Sequence, residues 1–167
     1  MNYISKYDSC FGEIILSSQG EALTGLWFKN QKHFPSDTKQ LTEQIDLPIF
    51  KQVISWLDIY FSGNNPGFVP KMELITTPLR KMVCEIMLGI PYGQTTTYKA
   101  IAQNIARQRK IPTFSCQAVG QAVGHNPISI IIPCHRVLAS DGSLRGYAGG
   151  LDRKQKLLLL EGIVCDK

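Results

Sequence analysis

The chain has 167 residues, of which 44% are apolar, and it carries a formal net charge of +5. The apolar content excludes general disorder, and no apolar run approaches the length of a membrane span. The length allows one ordinary domain or two small ones. A basic chain fits a polyanionic partner, but charge alone does not identify one. The first residues lack the basic and then apolar order of a signal peptide, which predicts a cytoplasmic location.

The N-terminal half is predicted to form a small β-rich domain over residues 1–76. Residues 11–17 and 22–28 have the pattern of two strands joined in a hairpin around residues 18–21. The polar residues 29–46 predict a loop with some helix. Residues 47–61 space their apolar side chains as a helix does, and the glycine- and asparagine-rich residues 63–67 end it.

The second half, residues 77–167, is predicted to be mostly helical. Thr77, Thr97 and Ser115 can each cap a helix, the second running to about residue 107 and the third to about residue 124. Two short helices joined by a loop resemble a helix-turn-helix. The third helix is rich in small residues, and its Gly120 costs about 1 kcal/mol relative to alanine. Tight packing inside the domain and close approach to a nucleic-acid groove both explain that composition.

A cysteine follows an apolar run in this half. The run Ile128–Ile132 is typical of a buried strand, and Pro133 is expected to end it. Cys134 then lies beside His135 and Arg136, and a neighbouring base or cation favours the reactive thiolate. The alternative is a structural cysteine that behaves as a small buried apolar residue.

The remaining cysteines and the last helix complete the pattern. An odd, scattered set of five cysteines predicts free thiols, and with only three histidines and no C-x-x-C pair the sequence gives little support for a zinc site. A final helix is predicted over residues 151–161 with Gly162 just beyond its end. Its core face is predicted to include Leu151 and Leu158. Its basic face, Arg153, Lys154 and Lys156, is predicted to be solvated, with contact to DNA as the alternative.

Several separated segments resemble, in order and spacing, the O6-alkylguanine-DNA alkyltransferases, also called methylated-DNA–protein-cysteine methyltransferases. The segments are Asn126–Ile128, Ile132–Val137, Gly146–Gly150 and Leu160–Gly162. The resemblance covers about residues 77–163 and extends more loosely to the first half. It implies an α+β fold in which a small β-rich, ribonuclease-H-like domain (1–76) precedes a mostly helical, winged helix-turn-helix-like domain (77–167) that carries the active-site cysteine.

The resemblance also implies an activity. The protein would repair double-stranded DNA by direct reversal, moving a methyl or larger alkyl group from O6 of guanine to its own cysteine in one irreversible turnover. O4 of thymine stays open as a second substrate. The damaged base would be flipped out, because its reactive atom is inaccessible inside the stacked duplex. The family resemblance implies a monomer that needs no cofactor and no metal.

Residue roles follow from the same resemblance. It implies Cys134 as the alkyl acceptor, His135 as the base acting through water, and Glu161 as the acid that orients the histidine. Asn126 is implied as a hinge. The DNA- and base-binding residues are Tyr98, Gln117, Ala118, Gly120, Arg136, Val137, Tyr147, Ala148 and Gly149. Gln117 stands where many members have an intercalating arginine, and Ala148 stands where some have a pocket serine.

Three other functions fit parts of the pattern. A lesion-binding relative without catalysis would lack the acceptor cysteine. A helix-turn-helix regulator would leave Cys134, His135 and Glu161 unexplained, and Gly120 and its small neighbours offer few side chains to read major-groove edges. A cysteine hydrolase would need an oxyanion site and repeated turnover.

Overall fold

A computed structural model of the chain describes residues 2–165, which divide into two compact units. The first unit is the chain up to Ile75 together with Pro127–Ile131, and the second is Thr76–Asn126 with the chain from Ile132 onward. None of the helices in the described part of the chain has the length and apolar content needed to cross a bilayer.

The first unit contains a four-stranded sheet. Its strands are β1 (Tyr3–Ser9), β2 (Gly12–Ser18), β3 (Leu23–Phe28) and β4 (Thr42–Glu43), in the order β3-β2-β1-β4. The first three strands pair antiparallel, and β4 joins β1 in parallel. The predicted hairpin is confirmed as β2 and β3, with every boundary within one residue. Between β3 and β4, a short 3-10 helix (Ser36–Gln40) lies in the segment predicted as loop with some helix.

Helix α1 (Pro48–Phe61) completes the first unit and confirms the helix predicted over residues 47–61. Pro48 occupies the first turn, where its missing N–H leaves no intrahelical bond unmade. The apolar positions recur every three or four residues and therefore share one face. The buried side chains of this face are Ile49, Phe50, Val53, Trp56, Leu57 and Tyr60.

The second unit is mostly helical. Its helices are α2 (Pro78–Leu88), α3 (Tyr98–Arg109), α4 (Cys116–Gly124) and α5 (Leu151–Leu160), and its two short strands, β5 (Thr96–Thr97) and β6 (Val137–Leu138), pair in parallel. The three predicted caps are confirmed. The Thr77, Thr97 and Ser115 hydroxyls accept backbone N–H bonds at 3.4, 3.1 and 3.1 Å. Each bond satisfies a helix-end donor, worth about 1 kcal/mol.

The strand predicted over Ile128–Ile132 is wrong. Only Ile128 forms a bridge, to Leu26 of β3. Beyond it the chain turns tightly: the Ile131 N–H donates to the Ser129 carbonyl at 2.8 Å, and Ile130 adopts a left-handed φ of 70°. All five residues of the run are fully or nearly fully buried. The run of β-branched residues therefore predicted burial correctly, but not the backbone conformation.

The last helix begins at residue 151 as predicted, but its first residue, Leu151, does not belong to the buried face as predicted. Leu151 is 48% exposed, whereas Leu157 and Leu158 are fully buried. Leu151 is the first residue of α5, and the face that packs against the unit begins one turn later. The predicted Gly162 beyond the helix end is confirmed by its left-handed φ of 82°.

Candidate active site

Cys134, His135 and Arg136 form one turn of 3-10 helix instead of the predicted strand end. The turn is closed by the Arg136 N–H, which donates to the Pro133 carbonyl at 3.0 Å. Because a 3-10 helix has three residues per turn, the consecutive side chains point in three different directions. All three are nonetheless buried. This geometry directs Cys134 and His135 to separate partners.

Asn126 is the partner of the cysteine. It lies just beyond α4, is buried, and its Nδ2 donates to the Ile132 carbonyl at 2.8 Å. Burial raises the pKa of the Cys134 thiol. A hydrogen bond from the Asn126 side chain, the charge of Lys154, and the N–H groups of Cys134 and His135 act in the opposite direction. Burial thus favours the protonated thiol, whereas the surrounding groups favour the thiolate.

Glu161 is the partner of the histidine. It caps the end of α5, and its Oε1 accepts from His135 Nε2 at 2.6 Å. Burial alone would raise the pKa of Glu161, but bonds and charges from His135 and then Arg136 outweigh it and lower that pKa to about 2. Burial lowers the pKa of His135 despite the carboxylate. At neutral pH the pair is therefore a carboxylate and a neutral imidazole that can accept a proton.

Arg136, predicted to contact DNA, is buried in the structure and binds Glu161. Its Nε and Nη2 donate to Glu161 Oε2 and Oε1 at 2.8 and 3.0 Å, and its Nη1 donates to the Ile90 carbonyl at 2.7 Å. A guanidinium binds a carboxylate in this bidentate way because two of its N–H groups are spaced to donate to the two carboxylate oxygens. Val137, the next predicted DNA contact, is fully buried in β6. The Arg136 guanidinium thus faces the interior, where it fixes the carboxylate that holds His135.

The two tyrosines predicted to contact the base meet at the loop after β6: Tyr147 belongs to the loop, and Tyr98, the first residue of α3, bonds to its backbone. The Tyr98 hydroxyl donates to the Arg145 and Gly146 carbonyls at 2.7 and 3.4 Å. Burial raises the pKa of Tyr98 to about 12, and Cys134 adds to that shift. Burial also raises the pKa of Tyr147 well above its ordinary value, again with a contribution from Cys134. The Tyr98 and Tyr147 hydroxyls are therefore neutral, and both interact electrostatically with Cys134.

Two further predicted positions lie in the same loop. Ala148 is half-buried, and Gly149 is buried, with its carbonyl accepting from Arg153 Nη1 at 3.1 Å. The Tyr147 carbonyl accepts the Gly150 N–H at 2.9 Å, which closes a turn ahead of α5. The predicted pocket residues are thus held in one well-bonded turn.

The small residues of α4 separate into two groups. Val119, Ala122 and Val123 are buried, so packing explains them. A β-carbon added at Gly120 or at Gly124 would meet no heavy atom of residues 2–165 within 4 Å, so packing within this part of the chain does not require glycine there. The other predicted contacts, Gln117 and Ala118, are exposed and half-buried, respectively. One side of α4 is thus left smooth and open.

Lys154 is the residue that the sequence interpretation misplaced. It was predicted on a solvated basic face, but its side chain is 0% exposed and its ammonium bonds to carbonyl oxygens near the cysteine. Of its predicted companions, Lys156 is exposed and pairs with Asp152 at 2.9 Å, and Arg153 is partly buried. The burial of Lys154 could have been predicted from the helical spacing, since residues 154, 157, 158 and 161 share one face. Leu157, Leu158 and Glu161 on that face are all buried.

Among residues 2–165, no cluster of three or more histidine, cysteine or acidic side chains is placed to hold a metal ion. All five cysteines are free thiols. The arrangement offers a buried thiol, a neutral imidazole held by a carboxylate, and neutral tyrosine donors. Such a set is suited to forming a thiolate and transferring a group to it.

Comparison with known proteins identifies two matching family models. The model described as the DNA binding domain of 6-O-methylguanine DNA methyltransferase matches residues 78–163, and the model of its ribonuclease-like domain matches residues 2–68. The methylated-DNA–protein-cysteine methyltransferase of Mycobacterium leprae (strain TN) is 38% identical, over 96% of this chain and 93% of the relative. That of Methanosarcina barkeri (strain Fusaro / DSM 804) is 40% identical, over 95% and 96%.

Solved structures show the same similarity. The O6-methylguanine methyltransferase of Mycobacterium tuberculosis superposes with a TM-score of 0.83 at 38% identity, covering 96% of this chain and 93% of the other. A structure of the Mycobacterium tuberculosis OGT in complex with DNA has a TM-score of 0.82 at 38% identity, covering 95% and 92%. Fold and sequence agree over nearly the whole chain, so this protein belongs to the 6-O-methylguanine DNA methyltransferase family.

Proposed function

We propose that this protein repairs alkylated double-stranded DNA by direct reversal, transferring the alkyl group from O6 of guanine to Cys134 in one irreversible turnover. The observation that carries the proposal is the buried set of Cys134, His135 and Glu161, with Asn126 bonded beside the thiol. The DNA-bound structure of a relative, 38% identical, supports DNA as the partner.

The proton of the thiol has a defined destination in this proposal. Burial raises the pKa of Cys134, so the thiol needs a base before it can attack. His135 is neutral and accepts that proton through a water molecule, while Glu161 stabilises the resulting imidazolium. The thiolate then forms a bond to the alkyl carbon, and the bond from that carbon to O6 breaks with its electron pair going to the guanine. The thioether has no ready leaving group, which makes the protein single-turnover.

Access to O6 requires that the base leaves the duplex. Tyr98, Tyr147, Ala148 and Gly149 are proposed to line the pocket that receives it. The neutral tyrosine hydroxyls are suited to donating to the guanine as negative charge develops on it. With Ala148 in place of a serine, a hydroxyl contact to O6 is lost at this position, and a backbone N–H is proposed as the remaining donor.

Helix α4 is proposed as the element that approaches the DNA groove. Gly120 supports this role, because none of the described residues has a heavy atom within 4 Å of the position that its β-carbon would take. Ala118 continues the smooth surface, and exposed Gln117 is proposed to fill the space of the flipped base. Arg136 and Val137, being buried, are proposed to act by positioning and not by contacting DNA.

Organisation and location complete the proposal. Residues 1–76 and 77–167 are proposed as the N-terminal domain and the DNA-binding, alkyl-accepting domain. The protein is proposed to act as a cytoplasmic monomer. A basic net charge of +5 fits binding to the phosphate backbone with little sequence preference.

The test compares Cys134→Ala with wild type on a duplex that carries one O6-methylguanine with a labelled methyl group. We expect the variant to lose transfer of the label to protein and to keep its affinity for the duplex. Cys10→Ala is the matched control, since Cys10 is an exposed free thiol of the first unit. Transfer that persists in Cys134→Ala contradicts the assignment, and tight lesion binding without transfer by the wild type favours a lesion-sensing protein.

A further inference from the structure

Lys154 is a buried cation for which the proposed chemistry gives no role. Its Nζ donates to the Val137, Arg145 and Gly146 carbonyls at 2.6, 2.9 and 3.3 Å. Among residues 2–165, no carboxylate pairs with it. A buried charge without an ionic partner destabilises the fold. A leucine or methionine on this helix face would avoid that cost, so the position of the ammonium needs a reason.

Cys134 is a neighbouring group that can balance the charge, because Lys154 Nζ bonds to the carbonyl of Val137, which directly follows the turn that carries the cysteine. Lys154 lowers the pKa of Cys134, and Cys134 in turn raises that of Lys154. Cys165 acts on the ammonium in the same direction. Burial is the stronger effect on the lysine and lowers its pKa to about 8. The ammonium therefore stays mostly protonated at neutral pH, and its charge becomes compensated when the thiolate forms.

The same ammonium holds the loop that carries the pocket residues. The Arg145 and Gly146 carbonyls accept from Lys154 Nζ and also from the Tyr98 hydroxyl, and Lys154 Nζ lies 5.8 Å from the centre of the Tyr98 ring. The loop backbone is thus fixed from α3 and from α5 at one point. Tyr147 follows directly, with a buried hydroxyl that has no hydrogen-bond partner among the described residues.

We propose that Lys154 is a positioning residue of this site, whose buried ammonium stabilises the Cys134 thiolate and fixes the backbone ahead of Tyr147. Its own charge, and not only its packing, then contributes to the reactivity of the cysteine. The inference deepens the proposed function and rests on it for the identity of the transfer reaction. The coupling between Lys154 and Cys134 is nevertheless measurable without DNA.

The direct test measures alkylation of Cys134 by iodoacetamide as a function of pH, in which the sulfur–carbon bond forms and iodide leaves. Peptide mass spectrometry separates Cys134 from the other four thiols. We expect Lys154→Met to move the midpoint of the rate profile to higher pH and to slow the reaction at neutral pH, about tenfold for each pKa unit. Lys154→Arg keeps the charge and should keep the midpoint. Lys156→Met, an exposed lysine of the same helix, should match wild type.

A profile of Lys154→Met that overlays wild type overturns the inference. If that variant does not fold, the pH dependence of Cys134 alkylation in the wild-type protein still tests the inference. Tyr98, Cys134, His135 and Cys165 are the titratable groups that interact with this ammonium. Loss of the Lys154 proton near pH 8 should split the Cys134 profile into two steps, whereas one single-proton curve contradicts the coupling.

A separate measurement of transfer from O6-methylguanine duplex keeps the two proposals distinguishable. If wild type takes no methyl group from DNA but its Cys134 profile depends on Lys154, the proposed reaction fails and the coupling stands. If transfer occurs and the profile is independent of Lys154, the reaction stands and the coupling is refuted.

Discussion

The buried cluster around Glu161 gives the most quantitative prediction. Its carboxylate accepts from His135 Nε2 at 2.6 Å, from Arg136 Nε at 2.8 Å and from the Gly93 N–H at 3.3 Å. A pKa lowered from 4.5 to about 2 corresponds to roughly 3 kcal/mol, at about 1.4 kcal/mol per pKa unit. Removing one partner of a buried ion pair typically costs about 3–5 kcal/mol, which agrees.

The perturbation is Glu161→Gln, which keeps the shape of the side chain and removes its charge. We expect the free energy of unfolding at pH 7 to fall by about 3 kcal/mol, measured by urea denaturation. The control is Glu21→Gln, which removes an exposed carboxylate paired with Lys71 at 3.1 Å and should change stability by less than about 1 kcal/mol. Similar stabilities of Glu161→Gln and wild type would refute the account of this cluster.

The pH dependence of stability provides a second reading of the same variant. The carboxyl of Glu161 binds a proton more readily in the unfolded chain, so its contribution is fully present above about pH 4.5 and is lost as the pH falls towards 2. His135 acts in the same direction below its ordinary pKa of 6.5, because burial disfavours its charged form. Glu161→Gln should lack the part of the acid destabilisation that comes from the carboxyl. An unchanged acid profile would contradict the assignment.

Three further predictions concern the thiol, the DNA-facing helix and the mode of binding. Asn126→Ala removes the bond to the Ile132 carbonyl and should lower stability by about 1–3 kcal/mol and slow iodoacetamide alkylation of Cys134; unchanged reactivity would exclude its role at the thiol. Gly120→Ala should raise stability by about 0.5–1 kcal/mol in thermal denaturation while weakening duplex binding in a titration, and equal binding would remove α4 from the interface. Duplex affinity should fall steeply with salt in fluorescence anisotropy, and a salt-independent affinity would argue against phosphate contacts.

Local signals predicted three helix starts in the second unit and the helix of the first unit. The three capping residues Thr77, Thr97 and Ser115 marked helix starts correctly, because a cap acts within three residues of itself. The apolar spacing of residues 47–61 located α1, because helical periodicity is also a property of a short stretch of sequence. Recognition of the segments around Cys134 gave the family, since several separated motifs agreed in order.

Other features depended on tertiary contacts that local patterns do not contain. The run Ile128–Ile132 is buried as its composition predicts, but its backbone turns at Ile130 and leaves only one bridge to β3. Lys154 was predicted in solvent because charged residues are rarely buried, and Arg136 was predicted at DNA from the family resemblance. Each is buried because the fold supplies acceptors, carbonyl oxygens for the lysine and Glu161 for the arginine.

The central claim is that Cys134 accepts one alkyl group from DNA. The measurement that tests it most directly is the intact mass of the protein after incubation with excess duplex carrying a single O6-methylguanine, followed by peptide mapping. The account predicts a gain of one methyl group per protein, located on Cys134, with no further increase at longer times. A methyl group on another residue, continued turnover, or an unchanged mass would contradict it.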